Sequence, residues 1–454
     1  MKAPALSISL TAAPASQLAL SVIIPALDEA DNIAPLLRGI ARELDSLGVA
    51  FELILVDGGS RDATAEVAAK AGASVHRQTA PGYGQALREG FDAARGEYVM
   101  TLDADGSHSP DFFAGMWSAR QQADVVIASR YVAGGAAEMP SARWLLSKLL
   151  NLVFRRGLSM PIADLSSGYR LYRRSVLAEL ALVATGFDLL PEILVRASSA
   201  GFRIVEVPFA YRPRGAGRSH VRLLAFGFAY ASTFMRMWRL RNSISSGDYD
   251  RRAYDSVIPL QRYWQRRRYR IVVGRAGSIA SVLDVGCGSS RILSANPGWV
   301  GLDVLMGKLR HARRDGNRVI QGSALQLPFV SGSFECVICS EVIEHIPADE
   351  RVFDELGRVL RPGGRLILGT PDYDRWSWRA LEAVYARVSG SRGYAHEHIT
   401  RFGRDRLVAY LASRGYKVEA IDYVGQSELI LTLRKSTNPG EPLPIASALR
   451  RDGS

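Results

Sequence analysis

The sequence predicts an α/β protein made of two successive units, and three observations carry that expectation. Short apolar runs of strand length alternate with helix-forming stretches, and polar or acidic residues stand at the carboxyl ends of the runs, where open α/β sheets bind ligands. The pattern occurs twice, with its own glycine-rich turn each time, at Pro81–Arg88 and at Ser281–Ser290. With 454 residues, 47% of them apolar, the chain has material for two ordinary α/β cores.

Met1–Ala19 is rich in Ala, Ser and Pro, has one lysine and lacks a continuous apolar run; it reads as a flexible lead-in, without a signal peptide. Ser21–Pro25 is a buried-type strand, and the acidic stretch Asp28-Glu29-Ala30-Asp31 opens a helix. Phe51–Val56 is a second strand ending at Asp57-Gly58-Gly59-Ser60. Pro81-Gly82-Tyr83-Gly84 turns into another helix, and Tyr98–Leu102 is a third strand. At its end stands Asp103-Ala104-Asp105, the most informative triplet in the chain. Carboxylates one residue apart at a strand end point to the same side. Buried and charged, they need a partner. A hard divalent cation bound to a diphosphate is suitable, because Mg²⁺ is usually held by one or two carboxylates plus substrate phosphates. Asp124–Ser129 is a further strand, and Arg130 follows it.

The succession from about Ser21 to Arg241 resembles the family-two glycosyltransferases of the GT-A fold, a Rossmann-like nucleotide-diphospho-sugar transferase architecture. Within that family it is most similar to the polyprenyl-phosphate hexose synthases, the dolichol-phosphate mannose synthase type. Asp103-Ala104-Asp105-Gly106-Ser107-His108-Ser109-Pro110 resembles their metal motif, and Asp124–Tyr131 the strand that delivers an arginine to the acceptor phosphate. Arg143-Trp144-Leu145-Leu146-Ser147 resembles an Arg-x-x-x-Ser element on the same phosphate, and Asp164–Arg170 their Asp-x-x-Ser-Gly-Phe segment. Arg214–His220 is similar to a mobile Arg…Gly-x-Ser-Lys loop, with His220 where lysine is usual.

The resemblance implies a nucleotide-sugar site of Pro25, Leu27, Glu29, Asp57, Asp103, Ala104 and Asp105, with Mg²⁺ or Mn²⁺ on Asp103 and Asp105. It implies an acceptor-phosphate site of Arg130, Arg143 and Ser147. Asp105, through its metal, and Arg214 and Arg218 from the loop would neutralise the departing nucleoside diphosphate, GDP from GDP-mannose or UDP from a UDP-hexose. A polyprenyl phosphate is already a nucleophile at neutral pH, so no general base is required, and arginine's planar fork suits its oxygens.

Arg241–Tyr254 is rich in Ser, Gly, Asp and Arg and reads as a linker, and a helix is expected from about Tyr263. Ser281–Ser290 is a strand and a glycine-rich turn, in which Gly286 and Gly288 let a ligand approach the backbone. A dinucleotide fingerprint would want a third glycine at the position of Arg291. Trp299–Leu302 ends in Asp303, an acid placed for ribose hydroxyls. Ser333–Cys339 is a strand ending at Ser340–Ile346, and Glu355–Leu366 reads as helix, turn and strand. This succession, from about Leu260 to Arg434, resembles the class I S-adenosylmethionine-dependent methyltransferases, also Rossmann-like. The resemblance implies cofactor contacts from Asp284, Gly286, Gly288, Asp303, Ser323 (where Asp is usual), Ala324 and Ser340. Methyl transfer to a hydroxyl gains from a base; His345 is the candidate, with His396 and His398 also in view, whereas His396-x-His398 alone is a poor metal signal.

The net charge of +12 is carried mostly by arginine, and an anionic membrane surface and phosphorylated substrates explain it without a nucleic-acid module. Leu223–Met235 is the longest apolar stretch; it is too short to span a bilayer and, flanked by Arg236, Trp238 and Arg239, can lie in an interface or pack on the sheet. There are three cysteines, and Cys336 and Cys339 on one strand read as packing in a protein of a reducing compartment. The expected organisation is a lead-in at 1–19, a transferase domain at 20–241, a linker at 242–259, a methyltransferase domain at 260–435 and a disordered tail at 436–454. The expected function is bifunctional. A hexose passes to a polyprenyl phosphate at the cytoplasmic membrane face, and a sugar or lipid intermediate is methylated. Two rivals are a hydroxyl-acceptor glycosyltransferase, for which Asp188 and Glu192 are the nearest carboxylates, and a nucleic-acid-binding methyltransferase with a degenerate first half. Oligomeric state is open.

Overall fold

The computed structural model of the chain describes residues 18–139, 141–211, 223–347, 350–389 and 398–437. Two compact units result, Met1–Ser243 and Ile244–Ser454.

The first unit runs β1 (Leu20–Ala26), α1 (Ala30–Ser46), β2 (Phe51–Asp57), α2 (Thr64–Lys70), β3 (Ser74–Arg77), α3 (Tyr83–Ala93), β4 (Tyr98–Thr101), α4 (Phe113–Ala119), β5 (Val125–Ser129), β6 (Ala136–Ala137), α5 (Ser141–Gly157), β7 (Arg170–Arg173), α6 (Arg174–Glu179), α7 (Leu189–Ser199), β8 (Ile204–Pro208), β9 (Ala210–Tyr211) and α8 (Leu223–Arg241). Its main sheet has seven strands in the order β3-β2-β1-β4-β7-β5-β8. β7 alone is antiparallel, inserted between β4 and β5. Successive side chains of a strand face opposite ways. Leu20, Val22 and Ile24 of β1 therefore enter one core with α1, while Ile23 enters a second core with α3 and α7. Covered on both faces, β1 is apolar without alternation from Val22 to Ala26. α1 docks with Ile33, Leu36, Leu37, Ile40 and Leu44, a stripe at three- and four-residue spacing.

The second unit runs α9 (Tyr249–Tyr254), α10 (Pro259–Ala276), β10 (Val282–Val285), β11 (Val300–Asp303), α11 (Met306–Arg314), β12 (Arg318–Gln321), β13 (Phe334–Ser340), α12 (Arg351–Val359), β14 (Leu360–Pro371), α13 (Trp376–Ser389), α14 (Arg404–Ser413), β15 (Tyr416–Val424) and β16 (Glu428–Lys435). Its seven strands are ordered β12-β11-β10-β13-β14-β16-β15. The last strand, β16, enters between β14 and β15 antiparallel to both. Leu283 and Val285 of β10 face the core shared with α12 and α14; Val282 faces the one shared with α10 and α11. Within each unit the central parallel strands, β1, β2 and β4 in the first and β10, β11 and β13 in the second, have their carboxyl ends on the same side of their own sheet.

Several local expectations shift. α10 starts at Pro259, four residues before Tyr263, with Pro in the first turn, where its missing N–H costs nothing. The stretch read as a linker holds α9. Arg361-Pro362-Gly363-Gly364 turns out of the ladder as a bulge within β14: the pairing passes from Leu360 opposite Phe334 to Arg365 opposite Cys336, and Gly363 has a φ of 71°. Cys336 and Cys339 are buried free thiols on β13. The stretch Leu223–Met235 is the first part of α8, and no helix among the described residues is long and apolar enough to cross a membrane.

Because each unit closes its own sheet and cores, a fragment of residues 244–437 is expected to fold alone with one cooperative thermal transition. Circular dichroism checks this; a molten, non-cooperative fragment would show that the unit needs the rest of the chain.

Candidate functional site

In the first unit the loops after β1 and β2 are tied together. The Asp28 backbone N–H donates to Ser60 Oγ (3.0 Å), the Arg61 N–H to Asp28 Oδ1 (2.7 Å) and the Glu29 N–H to Thr64 Oγ1 (2.8 Å). Asp28 takes a left-handed φ of 57° to make this link. Pro25 is half-buried near the end of β1, Leu27 is exposed, and buried Asp57 accepts the Ser60 N–H (3.1 Å). Glu29 holds Asn32.

β4 stops at Thr101, and Asp103-Ala104-Asp105 forms the turn beyond it. Tyr83 Oη, at the start of α3, donates to Asp103 Oδ1 (2.9 Å). Asp105 is buried and accepts the Ser107 N–H (3.0 Å). The Asp103 N–H donates to Nδ1 of buried His108 (2.9 Å), which fixes the proton on Nε2, 3.8 Å from Asp103 Oδ2. Burial holds the His108 pKa below its ordinary value against the pull of Asp103 and Asp105.

A second cluster centres on Asp164, which is fully buried. Arg130 donates to it from its backbone N–H (3.1 Å), Nε (2.8 Å) and Nη2 (2.8 Å). Burial opposes ionisation of Asp164, but these bonds outweigh it and depress the pKa. Arg130 Nη2 also reaches Ser166 Oγ (2.8 Å), which lies 3.4 Å from Ser147 Oγ, and Tyr131 Oη donates to Ser147 (2.8 Å). Arg130 and Ser147 are therefore brought together, through a residue assigned no role from the sequence. Arg170, also fully buried, donates to the carbonyls of Leu165 (2.7 Å), Ser167 (2.7 Å) and Leu190 (2.6 Å) and so shapes this turn. The side chain of Arg143, and Arg214, Arg218 and His220 altogether, lie outside the described residues. Asp188 accepts Thr233 Oγ1, and Glu192 accepts the Val183 and Ala184 N–H groups and Arg196; both carboxylates hold elements together.

In the second unit the turn after β10 needs its glycines. Gly286 (φ 72°) and Gly288 (φ 55°) are left-handed, and a Cβ on Gly286 would come within 2.1 Å of Val342. Asp303, at the end of β11, accepts the Gly288 N–H (2.9 Å). Asp284 is buried with Oδ2 unpartnered, and burial, then Asp303 and Asp250, push its pKa up to about 8. Ser340, at the end of β13, also has a buried hydroxyl without a partner; Ala324 is buried, and Ser323 is exposed. Sequence reasoning missed Asp250 and Lys308. Asp250 of α9 accepts the Ser289 N–H (3.0 Å) and pairs with Lys308 Nζ (3.1 Å) beside the glycine turn. Burial works against the Lys308 charge, but Asp250 and Asp303 raise its pKa.

His345 lies in a short 3₁₀ turn beyond β13, with its ring centroid 4.9 Å from that of His398. His398 Nδ1 is 2.5 Å from Tyr373 Oη, and burial, then His345 and Arg401, lower its pKa to about 4. His396 lies outside the described residues.

The chain carries a glycosyltransferase domain followed by a methyltransferase domain. Residues 21–181 match the model of glycosyl transferase family 2, and residues 283–368 match that of a methyltransferase domain. The polyprenol monophosphomannose synthase of Mycolicibacterium smegmatis is 36% identical over 213 residues, covering 44% of this chain and 79% of that one. The dolichol-phosphate mannosyltransferase of Pyrococcus furiosus is 33% identical over 211 residues, 44% of this chain and 59% of its own. The chain belongs to family 2 of the glycosyl transferases, with a polyprenol-phosphate mannose synthase-like domain of GT-A fold, and carries a methyltransferase domain after it. Among solved structures, glucosyl-3-phosphoglycerate synthase from Mycobacterium tuberculosis, in complex with Mg²⁺ and UDP, aligns with 49% of this chain and 80% of its own at 23% identity and a TM-score of 0.42.

Asp284 generates a pH prediction. Between the ordinary carboxylate value of 3.8 and about 8 the folded chain keeps a proton that the unfolded chain has lost, so stability falls as pH rises through that window. Asp284→Asn is expected to raise the melting temperature of the second unit at pH 8 and to change it little at pH 4. An equal shift at both pH values would assign the effect to packing.

Proposed function

We propose that the first unit transfers a hexose from a nucleotide-sugar, GDP-mannose or a UDP-hexose, to a polyprenyl phosphate. The observation that carries this reading is the pairing of two clusters on one strand edge. Asp57, Asp103 and Asp105 supply hard oxygen donors, and the Arg130–Ser166–Ser147 group supplies donors for a phosphate. Oxygen donors of this kind fit Mg²⁺ or Mn²⁺, held by Asp103 and Asp105, and the cation supplies charge neutralisation for a diphosphate. Pro25, Leu27, Glu29, Asp57 and Ala104 bound the base and ribose. As the glycosidic C–O bond breaks, its electron pair leaves on the nucleoside diphosphate, while an acceptor phosphate oxygen forms the new bond to the sugar. Arg130, Arg143 and Ser147 hold that acceptor, and Arg214 and Arg218 meet the leaving diphosphate. The two polyprenyl-phosphate-type enzymes named above support this choice of acceptor.

The second unit methylates a hydroxyl of a sugar or lipid intermediate. The unpartnered buried oxygens of Asp284 and Ser340 and the glycine turn fit S-adenosylmethionine, which supplies an electrophilic methyl group. Asp284, Gly286 and Gly288 face its amino-acid end, Asp303 its ribose, and Ser323, Ala324 and Ser340 the remainder. The His345–His398 pair would take the proton of the acceptor hydroxyl.

The test is mass spectrometry of lipids extracted after incubation with a panel of sugar nucleotides, with and without S-adenosylmethionine. Asp105→Ala is expected to abolish the hexosyl lipid while leaving S-adenosylmethionine binding intact. Undiminished sugar transfer by this variant in the presence of a chelator would end the metal-dependent reading.

The acceptor's lipid tail calls for a membrane surface, and α5 offers a face for one. Leu145, Leu149, Leu152 and Val153 share a side of this helix at 63%, 54%, 41% and 47% exposure, with Lys148, Arg155 and Arg156 in the same helix. Exposed apolar residues with basic neighbours suit the interface of an anionic bilayer, here the inner face of the cell membrane. Leu145→Asp with Leu149→Asp is expected to weaken co-sedimentation with phosphatidylglycerol vesicles by roughly tenfold or more, since each buried leucine contributes about 1.5–3 kcal/mol. Unchanged sedimentation would remove α5 from the membrane contact.

A further inference from the structure

Beyond the two sites above, Glu344, His345 and His398 converge in the second unit. One ligating atom from each lies within 4.8 Å of the others. The convergence is built by the backbone. The Ile399 and Thr400 N–H groups donate to the Glu344 carbonyl (2.7 and 3.0 Å), and Thr400 Oγ1 donates to the Ile346 carbonyl (2.6 Å). These bonds lock His398 against the turn that carries Glu344 and His345. The His398 ring is held again from outside, stacked on Trp378 at 5.9 Å and joined at Nδ1 to Tyr373 Oη. That hydrogen bond engages Nδ1 and orients the ring, the outer-shell arrangement by which metal-binding histidines are usually held.

Glu344 supplies the independent sign of a ligand. Its side chain is fully buried; Oε2 accepts Thr370 Oγ1 (3.2 Å), and Oε1 is buried with no partner. An unsatisfied buried carboxylate oxygen is costly. Two imidazoles and one carboxylate form the three-ligand set with an open position that is characteristic of catalytic zinc. We propose that Glu344, His345 and His398 form a site for a Zn²⁺-class divalent cation, with its open position directed to an oxygen ligand. Where the methyltransferase reading holds, that oxygen is the acceptor hydroxyl; the cation then polarises it, and His345 acts as a ligand rather than as the base.

The test uses the full chain carrying Asp103→Ala and Asp105→Ala, so that the transferase site does not contribute metal. After equilibration with Zn²⁺ and dialysis, metal content is measured by inductively coupled plasma mass spectrometry, and S-adenosylmethionine binding by calorimetry on the same sample. One retained equivalent of zinc is expected. Adding Glu344→Gln, which keeps the shape of the side chain, or His345→Asn, at a half-exposed position, is expected to weaken retention at least about tenfold, with the melting temperature preserved. No zinc in the starting chain, or equal retention in both variants, would overturn the site. Zinc retained by a chain that binds no S-adenosylmethionine would uphold the site and overturn the methyl-transfer reading alone.

Discussion

The Asp164 carboxylate has no access to water, and the transferase site is arranged around keeping it ionised. Three donors of Arg130 and the N–H groups of Ser166 (3.2 Å) and Ser167 (3.0 Å) converge on it. Its own N–H and that of Ala163 are taken by Glu206 (2.9 and 2.8 Å), so β8 reaches into the same knot. Removing one partner from a buried pair of this kind typically costs about 3–5 kcal/mol, because a buried charge is left uncompensated. The same bonds set the plane of the Arg130 guanidinium and place Ser166 between Arg130 and Ser147. An arginine already held by a carboxylate is oriented in advance, so under the proposed acceptor role less side-chain freedom would be lost on binding a phosphate.

The second unit handles charge differently. Asp284, Asp303 and Asp250 crowd the glycine turn, with Lys308 as the nearest cation, and Glu341, Glu344 and Glu428 crowd the other side, with Arg268 between Glu341 (3.1 Å) and Glu428 (2.7 Å). Here carboxylates outnumber the cations that serve them, and burial drives some to keep their protons. Such a surplus is unfavourable by itself and is relieved by cationic or hydrogen-bond-donating groups. The Glu344–His345–His398 convergence belongs to the same surplus.

Much of this was legible in the sequence because it depends on short-range rules. Apolar runs capped by Asp57, Asp103 and Asp303 announce strand ends, and Gly286 and Gly288 announce a turn that tolerates no Cβ. What was not legible depends on contacts across long stretches of chain. Asp250 falls in a segment whose Ser, Gly and Arg content reads as a linker, yet it reaches Ser289, 39 residues away. Glu344 looks like one acid among many until the backbone bonds from Ile399 and Thr400 bring His398 beside it. His396-x-His398 is a poor metal signal in the sequence because the groups that converge on His398, Glu344 and His345, are more than fifty residues away. Ser166 is hidden for a similar reason, since its meaning comes from Ser147 and Arg130 on other elements.

The two units share a placement of chemistry rather than a motif. In each, parallel strands deliver acids to their carboxyl ends, where the backbone N–H groups of the following turns donate to them. A single aspartate there can accept from a turn and still present an oxygen to a ligand, so the acid is structural and functional at once. Asp303 shows the limit of that economy. Its Oδ2 takes the Gly288 N–H and its Oδ1 the Leu305 N–H (2.8 Å), so each oxygen offers a ribose only its remaining lone pair. Asp284, with one oxygen wholly unpartnered, has the greater unused capacity beside the glycine turn, as Glu344 has where it meets His345 and His398.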